Sequence, residues 1–170
     1  YVEGRALRTS LGADIAILAR AAELLLAEQH CGLALDLLEP LARRPDQAEL
    51  RLRALLACAE FGAAEQLLHE TDPELLGGTL AVARAYLKIG RAAQALELAQ
   101  AFQLAHPDDQ AATLLVGQAQ LSAGAYVQAA ESFARVPAAA SGGTAAREGL
   151  VRALTAAGAT ELARKVGERQ

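Results

Sequence analysis

The stretch GRAAQALELAQAFQLAHPDD, from Gly90 to Asp109, contains the signals that decide the fold. It begins with a glycine, continues as an alanine-rich segment and ends at a proline followed by two aspartates. Glycine favours the left-handed C-terminal cap of a helix, and alanine has the highest helix propensity. Proline stops a helix and aspartate caps the next one. The stretch therefore predicts a tight turn, a helix and the start of another helix.

The same arrangement recurs at a fixed interval along the chain. Gly90, Gly124 and Gly158 are evenly spaced. Their period of about 34 residues is typical of a repeat protein. An earlier copy lies around Gly62, which is closer to Gly90 than this period allows, and we expect its hairpin to be the irregular one. A further pair of helices with an irregular turn near residues 29–32 is expected upstream.

Each repeat is predicted to form two helices joined by a turn at the glycine, with small residues on the facing stripes. Positions five and nine residues after each glycine share one stripe of the second helix. They hold Ala95 and Ala99, Ala129 and Phe133, and Ala163 and Gly167. On the first helices the equivalent small positions include Ala83 and Gly117. Caps are predicted at Asp46, whose spacing to Glu49 is that of a capping box, at a threonine or aspartate before Pro73, at an aspartate after Pro107, and at Thr144.

This helix-turn-helix unit of about 34 residues resembles the tetratricopeptide repeat (TPR), in a bacterial-type and degenerate form. The best match is Thr79 to Pro107, where the favoured residues are Ala83, Tyr86, Gly90, Ala95, Ala99, Phe102 and Pro107. The resemblance covers residues 73–170 well and residues 1–72 loosely. It implies one domain over residues 1–170, an all-α solenoid of about five hairpins in a right-handed superhelix. Because the chain has no methionine, Tyr1 is not a natural start, and we expect a fragment of a longer protein.

The composition excludes several classes of partner. The formal net charge is -4, which offers no electrostatic footprint for nucleic acid or an anionic membrane surface. No apolar run is long enough to insert into a bilayer. The bias towards alanine, leucine and arginine suggests a bacterial source. A cytoplasmic location is expected, or a periplasmic one if a signal or anchor preceded this part, and the oligomeric state is left open.

Residues for catalysis or metal binding are not apparent in the sequence. His30, His69 and His106 are scattered near predicted helix ends, without a paired spacing to Cys31 or Cys58 that would predict a zinc site. The two cysteines are interpreted as small buried thiols, which favours a reducing compartment. No phosphate-binding or nucleophile motif is present. We therefore expect neither an enzyme nor a cofactor.

Two functions remain. The first is a protein–protein interaction scaffold that binds a peptide or helix of a partner in the concave groove of the stacked hairpins. The second is the repeat region of a larger bacterial secretion, pilus or polysaccharide-export assembly protein, in which it organises neighbouring domains. The missing start residue favours the second function, and no residue chooses between the two.

The predicted groove is centred on three positions that lie six residues before the repeat glycines: Arg84, Gln118 and Arg152. Lys88 extends the stripe by one turn, and Leu80, Leu114 and Leu121 are expected to supply apolar contacts. Arginine donates paired hydrogen bonds to carboxylates, so the expected ligand is an acidic or carboxylate-bearing segment. The family's clamp for chaperone C-termini needs lysine and asparagine where this chain has leucine, arginine or glutamine, so a chaperone tail is not expected. The alternative is that these residues are solvated positions of amphipathic helices.

Overall fold

A computed structural model describes residues 2–41 and 44–168, with side chains from residue 14 onwards. These residues form ten α-helices and no strand. The helices are α1 (Val2–Ala27), α2 (Cys31–Leu38), α3 (Ala48–Ala57), α4 (Phe61–Glu70), α5 (Thr79–Lys88), α6 (Ala92–Ala105), α7 (Gln110–Ser122), α8 (Tyr126–Ala134), α9 (Gly143–Ala156) and α10 (Thr160–Glu168). Consecutive helices pack as five hairpins, as the sequence predicts. Short 3-10 helices cover Glu39–Leu41, Pro45–Gln47 and Pro73–Leu76.

The contacts divide the chain into two compact units, Tyr1–Gly77 and Gly78–Gln170. The first unit contains the hairpins α1/α2 and α3/α4, and the second contains α5/α6, α7/α8 and α9/α10. The predicted right-handed superhelical turn stays a prediction.

The three repeat glycines close their hairpins through the same backbone motif. Gly90, Gly124 and Gly158 have φ angles of 82°, 79° and 84°. At the first turn, the Arg91 N–H donates to the carbonyl of Tyr86 at 2.8 Å, and the Gly90 N–H donates to that of Leu87 at 3.1 Å. This pair of bonds is the Schellman cap, in which a left-handed residue satisfies the last carbonyls of a helix. The predicted role of the glycines is confirmed.

The prediction of a turn at Gly62 is wrong. Gly62 lies in the first turn of α4, and the left-handed position before that helix is Ala59, with a φ of 59°. The Glu60 N–H then donates to the carbonyl of Leu55 at 2.9 Å, which is the same cap built on an alanine. Gln29, with a φ of 63°, closes the α1/α2 hairpin in the same way, within the turn that the sequence placed at residues 29–32. Both turns of the first unit therefore use a residue with a side chain in a conformation that favours glycine.

Two of the predicted caps are confirmed and two are wrong. The Asp72 carboxylate accepts a hydrogen bond from the Glu74 N–H at 3.0 Å and caps the 3-10 helix Pro73–Leu76. The Asp109 carboxylate accepts a hydrogen bond from the Ala112 N–H at 2.8 Å and caps α7. Asp46 lies inside a 3-10 helix and caps nothing; its carboxylate binds Arg44 and Gln47 instead, and these hydrogen bonds lower its pKa. Thr144 lies inside α9, where Gly142 precedes the first turn.

The core of the second unit follows the predicted stripes. Ala95, Ala129 and Ala163 are buried, and so are Ala99 and Phe133 on the same stripe. The Phe133 ring packs between two glycines of neighbouring first helices, Gly117 on α7 and Gly149 on α9. A Cβ atom built on Gly117 would lie 2.8 Å from the ring, and one built on Gly149 would lie 2.5 Å from it. The absence of a side chain at these two positions lets both α7 and α9 approach the same aromatic ring closely.

Candidate partner-binding surface

The second unit has an inner layer formed by its first helices. Helix α5 packs on α7, and α7 packs on α9, more extensively than the second helices of these hairpins pack on one another. When one layer of helices is spaced more closely than the other, the stack bends towards that layer. The side chains of α5, α7 and α9 that point away from the second helices therefore line the inner side of this unit.

The polar residues of the predicted groove occupy equivalent places on these three helices. Arg84 lies on α5, Gln118 on α7 and Arg152 on α9. The two arginines are exposed, and the glutamine between them is half-buried. Lys88, one turn after Arg84, is exposed as well.

Arg84 and Arg152 differ from the other arginines whose side chains the structure describes. Within this set, only these two arginines make no side-chain hydrogen bond, ion pair, ring contact or electrostatic interaction with a described residue. The others are engaged: Arg20, Arg44, Arg51, Arg53, Arg91, Arg135, Arg147 and Arg164. An exposed guanidinium without a partner keeps all five N–H donors available for a carboxylate.

The predicted apolar members of the groove also belong to the core. Leu80 packs against the cluster of Ala83, Ala99, Leu115 and Val116. Leu114 and Leu121 pack against the cluster around Phe133, and all three leucines are half-buried. A Cβ atom on Gly142 would lie 2.8 Å from a methyl group of Leu114, so the start of α9 covers this side chain closely. Only part of each leucine is left to touch a partner.

An open groove beside Arg152 is absent from the sequence-based prediction. It has a volume of about 450 Å³ and is lined by Arg147, Glu148, Val151, Arg152 and Gly167. Gly167 and Phe133 occupy the same position of successive repeats, so Gly167 takes the place that the phenylalanine ring fills one repeat earlier. A Cβ atom on Gly167 would meet only a methyl group of Val151, at 4.0 Å. The alignment of the repeats could have predicted this groove, because it places a glycine where the preceding repeat has a buried aromatic residue.

The two cysteines are not separate buried thiols, which corrects the interpretation from the sequence. Both are partly exposed, and the Cys31 thiol is close enough to Cys58 to act on its pKa. Burial raises the pKa of the Cys58 thiol to about 11, and the Cys31 thiol and the Glu60 carboxylate act in the same direction. Within the described residues, no group of three or more His, Cys, Asp or Glu side chains converges as metal ligands would. His69 lies in the last turn of α4 and His106 directly after α6, as predicted for helix ends.

In the part of the chain that the structure describes, no helix has the length and apolar character needed to cross a membrane.

Comparison with known proteins identifies the architecture. The crystal structure of a Podosopora anserina protein, described as a kinesin light chain with nearly identical TPR-like repeats, superposes with a TM-score of 0.75. The match covers 91% of this chain and 92% of that one, at 21% sequence identity. The chain has a TPR-like fold. The predicted all-α solenoid of helical hairpins is thereby confirmed, whereas the sequence matches no protein-family model and no curated protein.

Arrays of stacked helical hairpins present extended surfaces. The surface formed by Arg84, Lys88, Gln118 and Arg152 is called the arginine ladder below.

Proposed function

We propose that this chain is a protein-interaction module that binds an extended acidic peptide of a partner along the arginine ladder. The observation that carries the proposal is the absence of any described partner for Arg84 and Arg152, while every other described arginine is engaged. Both guanidiniums lie at the same position of successive first helices, separated by a half-buried glutamine.

The spacing of the ladder gives the length of the ligand. Neighbouring packed helices have axes roughly 8–10 Å apart, so the two arginines, two helices apart, are separated by about 16–20 Å. An extended chain advances roughly 3.3 Å per residue, so this distance corresponds to about five to six residues, and of these spacings only i, i+6 places both side chains on the same side of the peptide. Two carboxylates at positions i and i+6 of an extended peptide would therefore reach both guanidiniums. Gln118, between them, can donate to a backbone carbonyl and accept from a backbone N–H.

The arginines suit a carboxylate ligand better than a general anionic surface. The guanidinium donates two parallel hydrogen bonds to one carboxylate, and this geometry adds specificity as well as energy. The overall charge of the chain is negative, so a polyanion such as nucleic acid would meet repulsion outside the ladder. Lys88 adds a third cation near one end, where an additional acidic residue of the peptide would be favoured.

The experiment uses two labelled peptides of identical composition, one with glutamates at i and i+6 and one with glutamates at i and i+2. Fluorescence anisotropy measures binding of each peptide to the wild-type chain and to an Arg84→Ala/Arg152→Ala variant. We expect the i, i+6 peptide to bind more tightly. The double variant should bind it about tenfold more weakly, which corresponds to about 1.4 kcal/mol.

A charge-matched control is available in the first unit. The Arg20→Ala/Arg53→Ala variant removes the same two charges from exposed residues that contact Glu23 at 3.0 and 3.9 Å. Exposed ion pairs contribute little to stability, so this variant should fold and bind as the wild type does. Equal affinity of the wild type and the ladder variant, with circular dichroism showing both folded, would refute the proposal. Equal loss in both double variants would show that net charge, and not the ladder, attracts the peptide.

A further inference from the structure

Cys31 and Cys58 lie on different hairpins and meet at the helix ends of the first unit. Cys31 is the first residue of α2, and Cys58 directly follows α3. Helix α2 packs against α3, and the Cys31 thiol acts on the pKa of Cys58, so the two thiols are neighbours although they are distant in the sequence. This proximity is a product of the tertiary fold.

The surroundings of this thiol pair allow the sulfurs to approach and a reagent to reach them. A disulfide forms when two neighbouring sulfurs come within roughly 2 Å of each other. Each cysteine is close to a left-handed turn residue, Gln29 before Cys31 and Ala59 after Cys58, so both lie where a helix ends and not within a helical interior. Both side chains are partly exposed.

We propose that Cys31 and Cys58 form a reversible intramolecular disulfide that links the α1/α2 hairpin to the α3/α4 hairpin. The oxidant is a small-molecule disulfide such as oxidised glutathione. The Cys31 thiolate attacks one sulfur of that disulfide, which breaks the sulfur–sulfur bond, releases one glutathione thiolate and leaves a mixed disulfide at Cys31. The Cys58 thiol loses its proton to solvent and attacks the Cys31 sulfur, which expels the second glutathione thiolate. The two protein thiols are oxidised, and one glutathione disulfide is reduced to two thiols.

The acidity of Cys58 determines the order of the two steps. Because burial holds its pKa near 11, this group is almost entirely a thiol at neutral pH and is a poor first nucleophile. Once Cys31 carries the mixed disulfide, the attack of Cys58 is intramolecular and depends on proximity instead of concentration. Cys31 therefore reacts first, and Cys58 resolves the intermediate.

The resulting bond would close a loop that includes the connection between the two hairpins of the first unit. A cross-link of this kind restricts the unfolded chain more than the folded one, so the oxidised form should resist denaturant better than the reduced form. The stability of this unit would then respond to the redox state of its surroundings.

The test exposes the whole native chain to mixtures of oxidised and reduced glutathione, followed by alkylation of free thiols and intact-mass analysis. The wild type should lose the mass of two hydrogen atoms, carry no alkyl group and remain monomeric on a non-reducing gel. The Cys58→Ser variant should instead accumulate one glutathione at Cys31, and Cys31→Ser should react more slowly. Dithiothreitol should restore both thiols of the wild type.

Three outcomes would overturn the proposal. The first is two stable glutathione adducts on one wild-type chain, and the second is a dimer joined by an intermolecular disulfide. The third is that both thiols are still alkylated in glutathione mixtures that fully oxidise a reference protein whose disulfide has an ordinary stability. A parallel reaction in urea serves as the control, because proximity created by the fold should make the native chain form the disulfide at a lower oxidant ratio than the unfolded one.

Discussion

A Gly149→Ala substitution tests the packing of the second unit at its tightest point. Gly149 is buried near the middle of α9, and an added methyl carbon would lie 2.5 Å from Cζ and 2.7 Å from both Cε atoms of Phe133. Carbon atoms in favourable contact are about 3.5–4.0 Å apart, so the ring would have to move by roughly 1 Å. The ring is 2% exposed, and Gly117 of α7 also lies close to it, so the ring has little space to move into.

The expected free-energy change has two opposing contributions. Overpacking of a core costs about 1–3 kcal/mol. Replacing glycine by alanine inside a helix gains about 1 kcal/mol. Because the ring is buried and two neighbouring helices lie close to it, we expect the packing cost to exceed the helix gain, with a net destabilisation of about 1–2 kcal/mol.

The assay is urea denaturation followed by circular dichroism, with a matched control that isolates helix propensity. In Gly62→Ala the added methyl group meets nothing within 4 Å, so this substitution should stabilise the chain by up to about 1 kcal/mol. In a Phe133→Leu background, Gly149→Ala should destabilise the chain less, because the smaller side chain relieves the clash. The reasoning is refuted if Gly149→Ala stabilises the chain as Gly62→Ala does, or if its cost is the same with phenylalanine and leucine at position 133.

Three further predictions concern the turns, a helix cap and pH. Gly124→Ala should lower the free energy of unfolding by about 1 kcal/mol through backbone strain alone, and Ala59→Gly should raise it by a similar amount; changes of the opposite sign in urea melts would contradict the left-handed assignments. Asp109→Ala should cost about 0.5–2 kcal/mol by removing a cap, whereas Asp108→Ala should have little effect, and equal costs would exclude the cap. Because the folded state raises the pKa of Cys58 from 9.0 to about 11, the folded chain keeps this proton longer, so its contribution to stability is complete below pH 9 and is lost as pH rises to 11. The wild type should lose urea resistance over that window relative to Cys58→Ala, and parallel pH profiles of the two proteins would argue against the raised pKa.

The turns of the second unit could be predicted from the sequence because a left-handed backbone leaves a direct mark on it. Gly90, Gly124 and Gly158 stand where φ is positive, and their constant spacing made the assignment strong. The same backbone conformation at Gln29 and Ala59 leaves no such mark, since packing of the hairpin imposes it on residues that do not favour it. The left-handed turn position was therefore assigned to Gly62, whereas the structure places it at Ala59.

The positions of the candidate-site residues could be predicted from the sequence, but whether their side chains have partners could not. The repeat register placed Arg84, Gln118 and Arg152 on equivalent faces of α5, α7 and α9. Whether an arginine makes a hydrogen bond or an ion pair depends on which side chains the fold brings near it, and the spacing of the repeats does not reveal these neighbours. The meeting of Cys31 with Cys58 likewise depends on contact between hairpins that are distant in sequence.

The most direct test of peptide binding at the arginine ladder is NMR titration of the isotope-labelled chain with the i, i+6 glutamate peptide. The side-chain Nε–Hε signals of Arg84 and Arg152 report on the guanidiniums themselves, and backbone amide signals report on each helix. We predict that both arginine signals shift on binding, together with amides of α5, α7 and α9. Shifts confined to the first unit or to α6, α8 and α10, with both arginine signals unchanged at saturating peptide, would contradict the proposed site.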